Sequence, residues 1–418
     1  MSRAMTELSS FLRERKGRIS HEDANKLGLK RIKKIDFSGN IHLDSVTDTK
    51  TDMILVKGGD LVISGINASK GAIAVYSEDE DALATIHYSS YEFDSDAISI
   101  EFLIWFFKSP EFINLLKTQV SGGIKTELKP KDILPLKIRL PSLSEQINIA
   151  KSLNGFQNSY SRVQSEISHQ MALIKKLRKA ILDEAFKGEL TTGWRLTQAD
   201  EEQGVSLLEQ IEAERADANL KKKQREKSEL FMVSPEEMPF PIPKNWAWCR
   251  LGQIVSFSSG DGLTSAQMAG GEIPVFGGNG INGFHNKANI DSEQIVVGRV
   301  GANCGAVHKT PKRAWVTDNA FITTYSNSCL NTDFLFYLLK FLNLNQLSYD
   351  GSQPVISGKR VYPLPTPLPP LLEQVEIARK VSALMLVCDS IEIQIQDSEE
   401  ISKGLYQSAL QEAFLVVA

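Results

Sequence analysis

Two stretches of the chain carry the same spacing of apolar residues. From Ile149 they return at alternating steps of four and three, through Leu153, Phe156, Tyr160, Val163, Ile167, Ile174, Leu177 and Ile181. A second run does the same at Ile377, Val381, Leu384, Cys388, Ile391, Ile395 and Leu405, weakened where Ser398 and Ser402 fall on the stripe. That spacing puts one apolar stripe on an α-helix, the pattern of a coiled-coil seam. Pro141 and Pro369 stand just before the runs, where a missing amide hydrogen costs nothing, and Ser144-Glu145 supplies a polar first turn. Each predicted helix is about 40 residues long, hence about 60 Å at 1.5 Å per residue. A helix of that length with a single stripe needs a partner, so the two are expected to pack on each other. The competing reading is that each covers only its neighbouring globular segment.

The runs belong to an internal repeat. Leu140-Pro-Ser-Leu-Ser-Glu-Gln-Ile-Asn-Ile-Ala150 aligns with Leu368-Pro-Pro-Leu-Leu-Glu-Gln-Val-Glu-Ile-Ala378, an offset of 228 residues. The register holds without insertion from Gly123/Gly351 to Phe186/Phe414. Upstream, Asp60–Gly71 resembles Gln294–Gly305 at an offset of 234. A duplication of this kind organises the whole chain. The expected segments are a globular segment 1–139, a long helix 140–188, a charged connector 189–240, a second globular segment 241–367 and a second long helix 368–418.

The globular segments read as mixed α/β. Short β-rich runs (Met53–Val56, Asp60–Ser64 and Ala72–Tyr76; Ile295–Val300, Ala306–Lys309 and Ala320–Tyr325) are punctuated by Gly and Asn. One apolar helix is predicted in each, over Ile100–Thr118 and Thr332–Gln346, followed by a Gly-rich polar loop, Ser121–Thr126 or Asp350–Pro354. Such loops suit phosphate or base-edge contacts; their bland reading is an ordinary turn. The connector holds nine acids and six bases from Asp200 to Glu229, read as a solvated helix around Val205–Phe231.

With 418 residues the chain is long enough for two to three domains, and 42% hydrophobic with 23% charged residues excludes a disordered or fibrous chain. The net charge of −4 gives no global attraction for nucleic acid. Charge is nevertheless uneven: Arg13–Lys34 holds nine basic and three acidic residues, whereas Ser77–Glu101 holds eight acids and no Lys or Arg. Four scattered cysteines indicate neither a disulfide framework nor a zinc site and fit a reducing cytoplasm. No apolar run reaches the length of a signal peptide or a membrane span, so the chain is expected to be neither exported nor membrane-embedded.

Candidate chemistry is sparse. Gly278-Asn-Gly280-Ile-Asn-Gly283 satisfies a dinucleotide fingerprint, but Phe284-His-Asn-Lys-Ala-Asn289 after it is poor helix material and no acid stands twenty residues on. Glu111, Glu127 and Lys129 loosely mimic a magnesium-dependent nuclease, yet the second copy has no counterpart acids. The histidines form no nucleophilic or zinc pattern. No metal site and no catalytic residue is expected.

The paired Leu-Pro-x-Leu-x-Glu-Gln blocks, each opening a long helix that closes on Glu-Ala-Phe, resemble the specificity subunit of type I restriction-modification systems. Phe186-Lys-Gly-Glu-Leu190, Pro243-Lys-Asn-Trp-Ala-Trp-Cys-Arg-Leu-Gly252 and Ile273-Pro-Val-Phe-Gly-Gly-Asn-Gly-Ile-Asn-Gly283 strengthen the likeness, which covers nearly the whole chain. It departs in two places: the first segment opens on a polar, helix-like stretch in place of Pro243–Trp246, and no Gly-Glu-Leu follows Phe414. The resemblance implies two mixed α/β target-recognition domains, separated by an antiparallel two-helix coiled coil in a pseudo-two-fold repeat. It implies a non-catalytic subunit that reads an asymmetric bipartite duplex DNA target and positions two methyltransferase subunits and the restriction-translocase subunits. S-adenosylmethionine, ATP and magnesium would belong to those partners. The expected DNA contacts are Arg31, Lys33, Asn67, Ser69, Lys70, Lys125 and Thr126 in the first half, and Asn279, Asn282, Arg299, Asn303, Lys309, Ser352 and Gln353 in the second. Rival readings are the nuclease and a coiled-coil scaffold that binds only proteins. If the helices act as a ruler, deleting one heptad from both should shorten the preferred gap between half-sites in duplex selection; an unchanged gap contradicts the ruler.

Overall fold

The computed structural model describes residues 5–45, 49–119, 127–198, 204–218, 233–268, 270–301, 303–347, 354–415 and 417. Among them no helix is long and apolar enough to cross a membrane. The chain forms two compact units, Met1–His169 with Ile395–Ala418, and Gln170–Gln394.

The long helices are Leu143–Phe186 and Leu371–Phe414, 44 residues each. Their bounds keep the 228-residue offset of the sequence repeat. The first unit takes the start of the first helix and the end of the second, and the remaining parts belong to the second unit. In the first unit the pairing is antiparallel: Ala150 and Leu153 share a core with Leu410 and Phe414, and further along the Tyr160 and Tyr406 rings stack at 4.6 Å. In the second unit Arg178 pairs with Asp389 at 2.6 Å and Glu392 at 2.8 Å, and Lys380 donates to the Leu190 carbonyl, again antiparallel.

Each unit contains the same antiparallel four-stranded sheet. In the first the strand order is Leu12–Glu14, Tyr88–Phe93, Leu61–Ser64, Ile73–Val75; in the second it is Val255–Ser259, Ala320–Tyr325, Ile295–Gly298, Val307–Lys309. A two-stranded ribbon accompanies each sheet, Met5–Glu7 with Lys137–Arg139 and Ala247–Arg250 with Pro365–Leu368. A separate five-stranded sheet in the first unit and a three-stranded one in the second are not copies of each other.

The repeated Gln of the Leu-Pro-x-Leu-x-Glu-Gln block is a structural latch. Gln146 is buried; its Nε2 donates to the carbonyls of Pro141 and Ala97, and its Oε1 accepts from the Ser99 amide at 2.7 Å. Gln374 repeats this with the Pro369 and Cys329 carbonyls and the Asn331 amide at 2.9 Å. Ser99 and Asn331 are the N-caps of Ile100–Lys108 and Thr332–Phe341. One side chain therefore ties the entry of a long helix to the entry of a short one.

Several expectations need correction. The first unit opens not on a helix but on the strand Met5–Glu7, because pairing with Lys137–Arg139 satisfies its backbone. The single helix predicted over Ile100–Thr118 is broken into Ile100–Lys108 and Pro110–Gln119, since Pro110 cannot continue the preceding ladder. The described part of the connector helix, Gly204–Ala218, is not merely solvated: Leu207 and Ile211 are buried, and Glu214 accepts from Ser326 and Ser328, while residues 219–231 of the predicted helix lie outside the described residues. The seam is narrower than predicted. Leu153, Ile167, Ile174, Ile181, Ile377, Val381, Cys388 and Ile395 are buried and Ile149 and Tyr160 half-buried, but Phe156, Val163, Leu177, Leu384, Ile391 and Leu405 are exposed. A single partner helix covers only the one-in-seven strip facing it.

Gln374→Ala should destabilise the protein by about 2–3 kcal/mol in urea denaturation, because two buried carbonyls and an amide lose their partner together. An unchanged midpoint contradicts the latch.

Candidate nucleic-acid interface

In the first unit a β-hairpin, Arg31–Ile35 with Ile41–Asp44, turns at residues 36–40. Asp36 organises that turn. Its Oδ1 accepts from the amides of Ser38 at 3.0 Å and Asn40 at 2.9 Å, and its Oδ2 faces Asn40 Nδ2 and His42 Nε2. The His42 ring, then the Asn40 amide, hold the carboxyl well below the usual carboxylate range. The turn rests on the loop that leaves strand Leu61–Ser64. A Cβ on Gly39 would lie 3.1 Å from the Ile73 carbonyl oxygen, and one on Gly71 3.3 Å from that of Phe37, so both approaches need the missing side chain. Lys108 Nζ donates to the Ser38 carbonyl at 3.1 Å, and burial lowers its pKa. Lys70 Nζ stands 5.9 Å from the centre of the exposed Phe37 ring.

The second unit repeats the construction with different residues. Its hairpin pairs Ile273–Gly277 with Gly280–His285, and its turn lies against the loop that leaves strand Ile295–Gly298. A Cβ on Gly278 would collide with the Val300 carbonyl oxygen, and Asn303 Nδ2 donates to Asn279 Oδ1 at 2.6 Å. The two loops are those matched at an offset of 234, and both close on a left-handed glycine, Gly71 and Gly305, at φ 87°. Beside the second hairpin, Gly262–Ser265, Gln267, Met268, Asn282 and Thr317–Asn319 line an open groove of about 790 Å³.

Residues 243–400 match the family model for the type I restriction modification DNA specificity domain. The chain is similar to the type I restriction enzyme EcoDI specificity subunit of Escherichia coli, 26% identical over 78% of this chain and 71% of that protein. The EcoAI specificity subunit of the same species is 22% identical over 88% of this chain and 74% of the relative. Residues 243–400 thus carry the likeness to the specificity domain, and the similarity to curated specificity subunits extends over most of the chain. Solved structures share its fold along its whole length: the HsdS subunit from Thermoanaerobacter tengcongensis at a TM-score of 0.54, with 17% identity over 99% of this chain and 96% of that one, and a chain from a study of type I complex assembly and conformational transition at 0.62, with 15% identity over 98% and 97%.

The two hairpin turns and the loops they rest on gather part of the predicted set. Asn67 and Lys70 lie on the first loop, Ser69 contributes backbone to it, and Asn279, Asn282 and Asn303 lie on the second hairpin and loop. Arg31 and Lys33 are on the first hairpin but share Asp44, at 3.7 and 3.3 Å, which offsets their charge. Arg299 lies with its guanidinium 5.4 Å from the Phe321 ring, its Nε buried without a hydrogen-bond partner. Lys309 is turned away to Asp333 and the Phe336 ring, and burial lowers its pKa. Lys125, Thr126, Ser352 and Gln353 lie outside the described residues.

The sequence reading missed Phe37, the Asp36–Asn40 brace and Asn319. An Asp-x-x-Gly-Asn turn between two strand-like runs was the available signal. The glycine fingerprint at 278–283 continues into a strand, so no helix N-terminus is presented to a pyrophosphate. Of the nuclease trio, Glu111 is buried and its carboxyl is pushed up by that burial, while Glu127 meets His87 at 2.8 Å. Among the described residues no group of three or more His, Cys, Asp or Glu could hold a metal.

Proposed function

We propose that this chain is a specificity subunit that selects a bipartite, asymmetric duplex DNA target, each unit reading one half-site with its hairpin tip and the loop beneath it. The observation that carries this reading is that each unit sets a hairpin turn against the loop leaving the matching strand of its four-stranded sheet, with different side chains at the two tips. The first offers Asn67, Lys70 and Phe37; the second offers Asn279, Asn282, Asn303 and Asn319. An asparagine amide matches the paired donor and acceptor of adenine in the major groove, and a two-stranded ribbon fits that groove. Lysines supply phosphate contacts that position the protein without reading sequence.

In this reading two methyltransferase subunits and the restriction-translocase subunits bind the chain and act at the chosen site in the cytoplasm. S-adenosylmethionine, ATP and magnesium act on those partners. The chain contributes the choice of site alone.

Asn282→Ala should cost about 1–3 kcal/mol on the selected duplex and relax one target position, whereas Lys70→Ala should weaken all sequences alike and reduce the salt slope by about one. Binding titrations on the assembled complex at several salt concentrations measure both. A protein-only scaffold predicts no salt-dependent DNA affinity even with the methyltransferase present.

A further inference from the structure

The turn 36–40 holds an aromatic ring out in solvent on a rigid mount. Phe37 is 58% exposed, although burial of a Phe side chain is favourable. The backbone on either side of it is braced by hydrogen bonds. Asp36 accepts from Ser38 and Asn40, the Gly39 amide donates to the Asp36 carbonyl, the Asp36 amide donates to the Asn40 carbonyl, and Lys108 holds the Ser38 carbonyl. The Asp36 carboxylate oxygens are taken up by those contacts and by His42. Beside the ring stands the Lys70 ammonium, 5.9 Å from its centre.

An exposed aromatic ring on a braced turn with an adjacent cation matches stacked bases beside a phosphate better than it matches a protein surface, which would ask for a wider apolar patch. We infer that Phe37 is a wedge that stacks into one base-pair step of the half-site read by the first unit, with Lys70 on the neighbouring phosphate. The inference rests on the reading of this chain as a DNA-recognition subunit. The step is then chosen by how readily it unstacks, which favours pyrimidine–purine steps at a position read without base-edge hydrogen bonds. The second hairpin has no aromatic in its Gly278–Asn279 turn, so the wedge belongs to one half-site only.

The test uses the full chain assembled with its methyltransferase subunits on its selected duplex, with 2-aminopurine substituted at each step of both half-sites in turn. The wild type should raise the fluorescence at one step of one half-site. Phe37→Ala should abolish that rise and weaken binding about 10-fold or more, Phe37→Trp should keep both, and Lys70→Ala should weaken binding while keeping the rise. Tight, selective binding with no rise at any step overturns the wedge, as does Phe37→Ala binding as well as wild type. Loss of methyltransferase association in Phe37→Ala would make the ring a protein contact and also overturns it. If the wild-type complex selects no duplex at all, the DNA-recognition reading itself falls, a result distinct from the others.

Discussion

Neither globular segment completes its own core. In the first unit Phe414, from the end of the second long helix, packs on Phe102 at 5.4 Å and Phe106 at 5.7 Å; in the second unit Phe186, from the end of the first, packs on Phe334 at 5.5 Å and Phe341 at 4.9 Å. All but Phe341 are among the buried residues. Each fold is thus closed by an aromatic from the other repeat, and removing such a ring from a core costs about 3–5 kcal/mol. The antiparallel course of the helices follows from that exchange, because each must begin in one unit and end in the other.

The duplication kept what this exchange needs and let the rest drift. The Gln latch survives in both copies with equivalent partners. The Glu before it has diverged: Glu145 accepts from Ser142 in its own first turn, whereas Glu373 is buried beneath Arg195, Thr191, Asn245 and Trp246. The Pro-x-x-Trp segment of the second unit, with Thr191 and Arg195 just past Lys-Gly-Glu-Leu, forms the walls of that buried carboxylate. A paired charge at 1% exposure fixes geometry more than it adds stability.

How much of this could be read in advance depended on the range of the interactions. The long helices were legible because a seven-residue stripe and the 228-residue offset are local and periodic, and the strand Leu61–Ser64 with its matched loop followed from the 234-residue offset. The break at Ser109-Pro110 was also written locally, yet the apolar run on both sides outweighed it. The narrow seam was hidden because Leu153 and Phe156 look alike in sequence, and only the position of the partner helix decides which is covered. The site residues were least legible. Arg31 and Lys309 are basic on paper, but Asp44 and Asp333 offset them in the fold, while Phe37 looks like core and is held outside by its turn.

The proposed function requires that two unlike surfaces on one chain each choose a few base pairs. Selection of bound duplexes from a random pool, by the full chain assembled with its methyltransferase subunits, tests it most directly. Two short enriched blocks of different sequence, separated by positions with no preference, are the predicted result. A single contiguous block, or no enrichment over the starting pool, would contradict it.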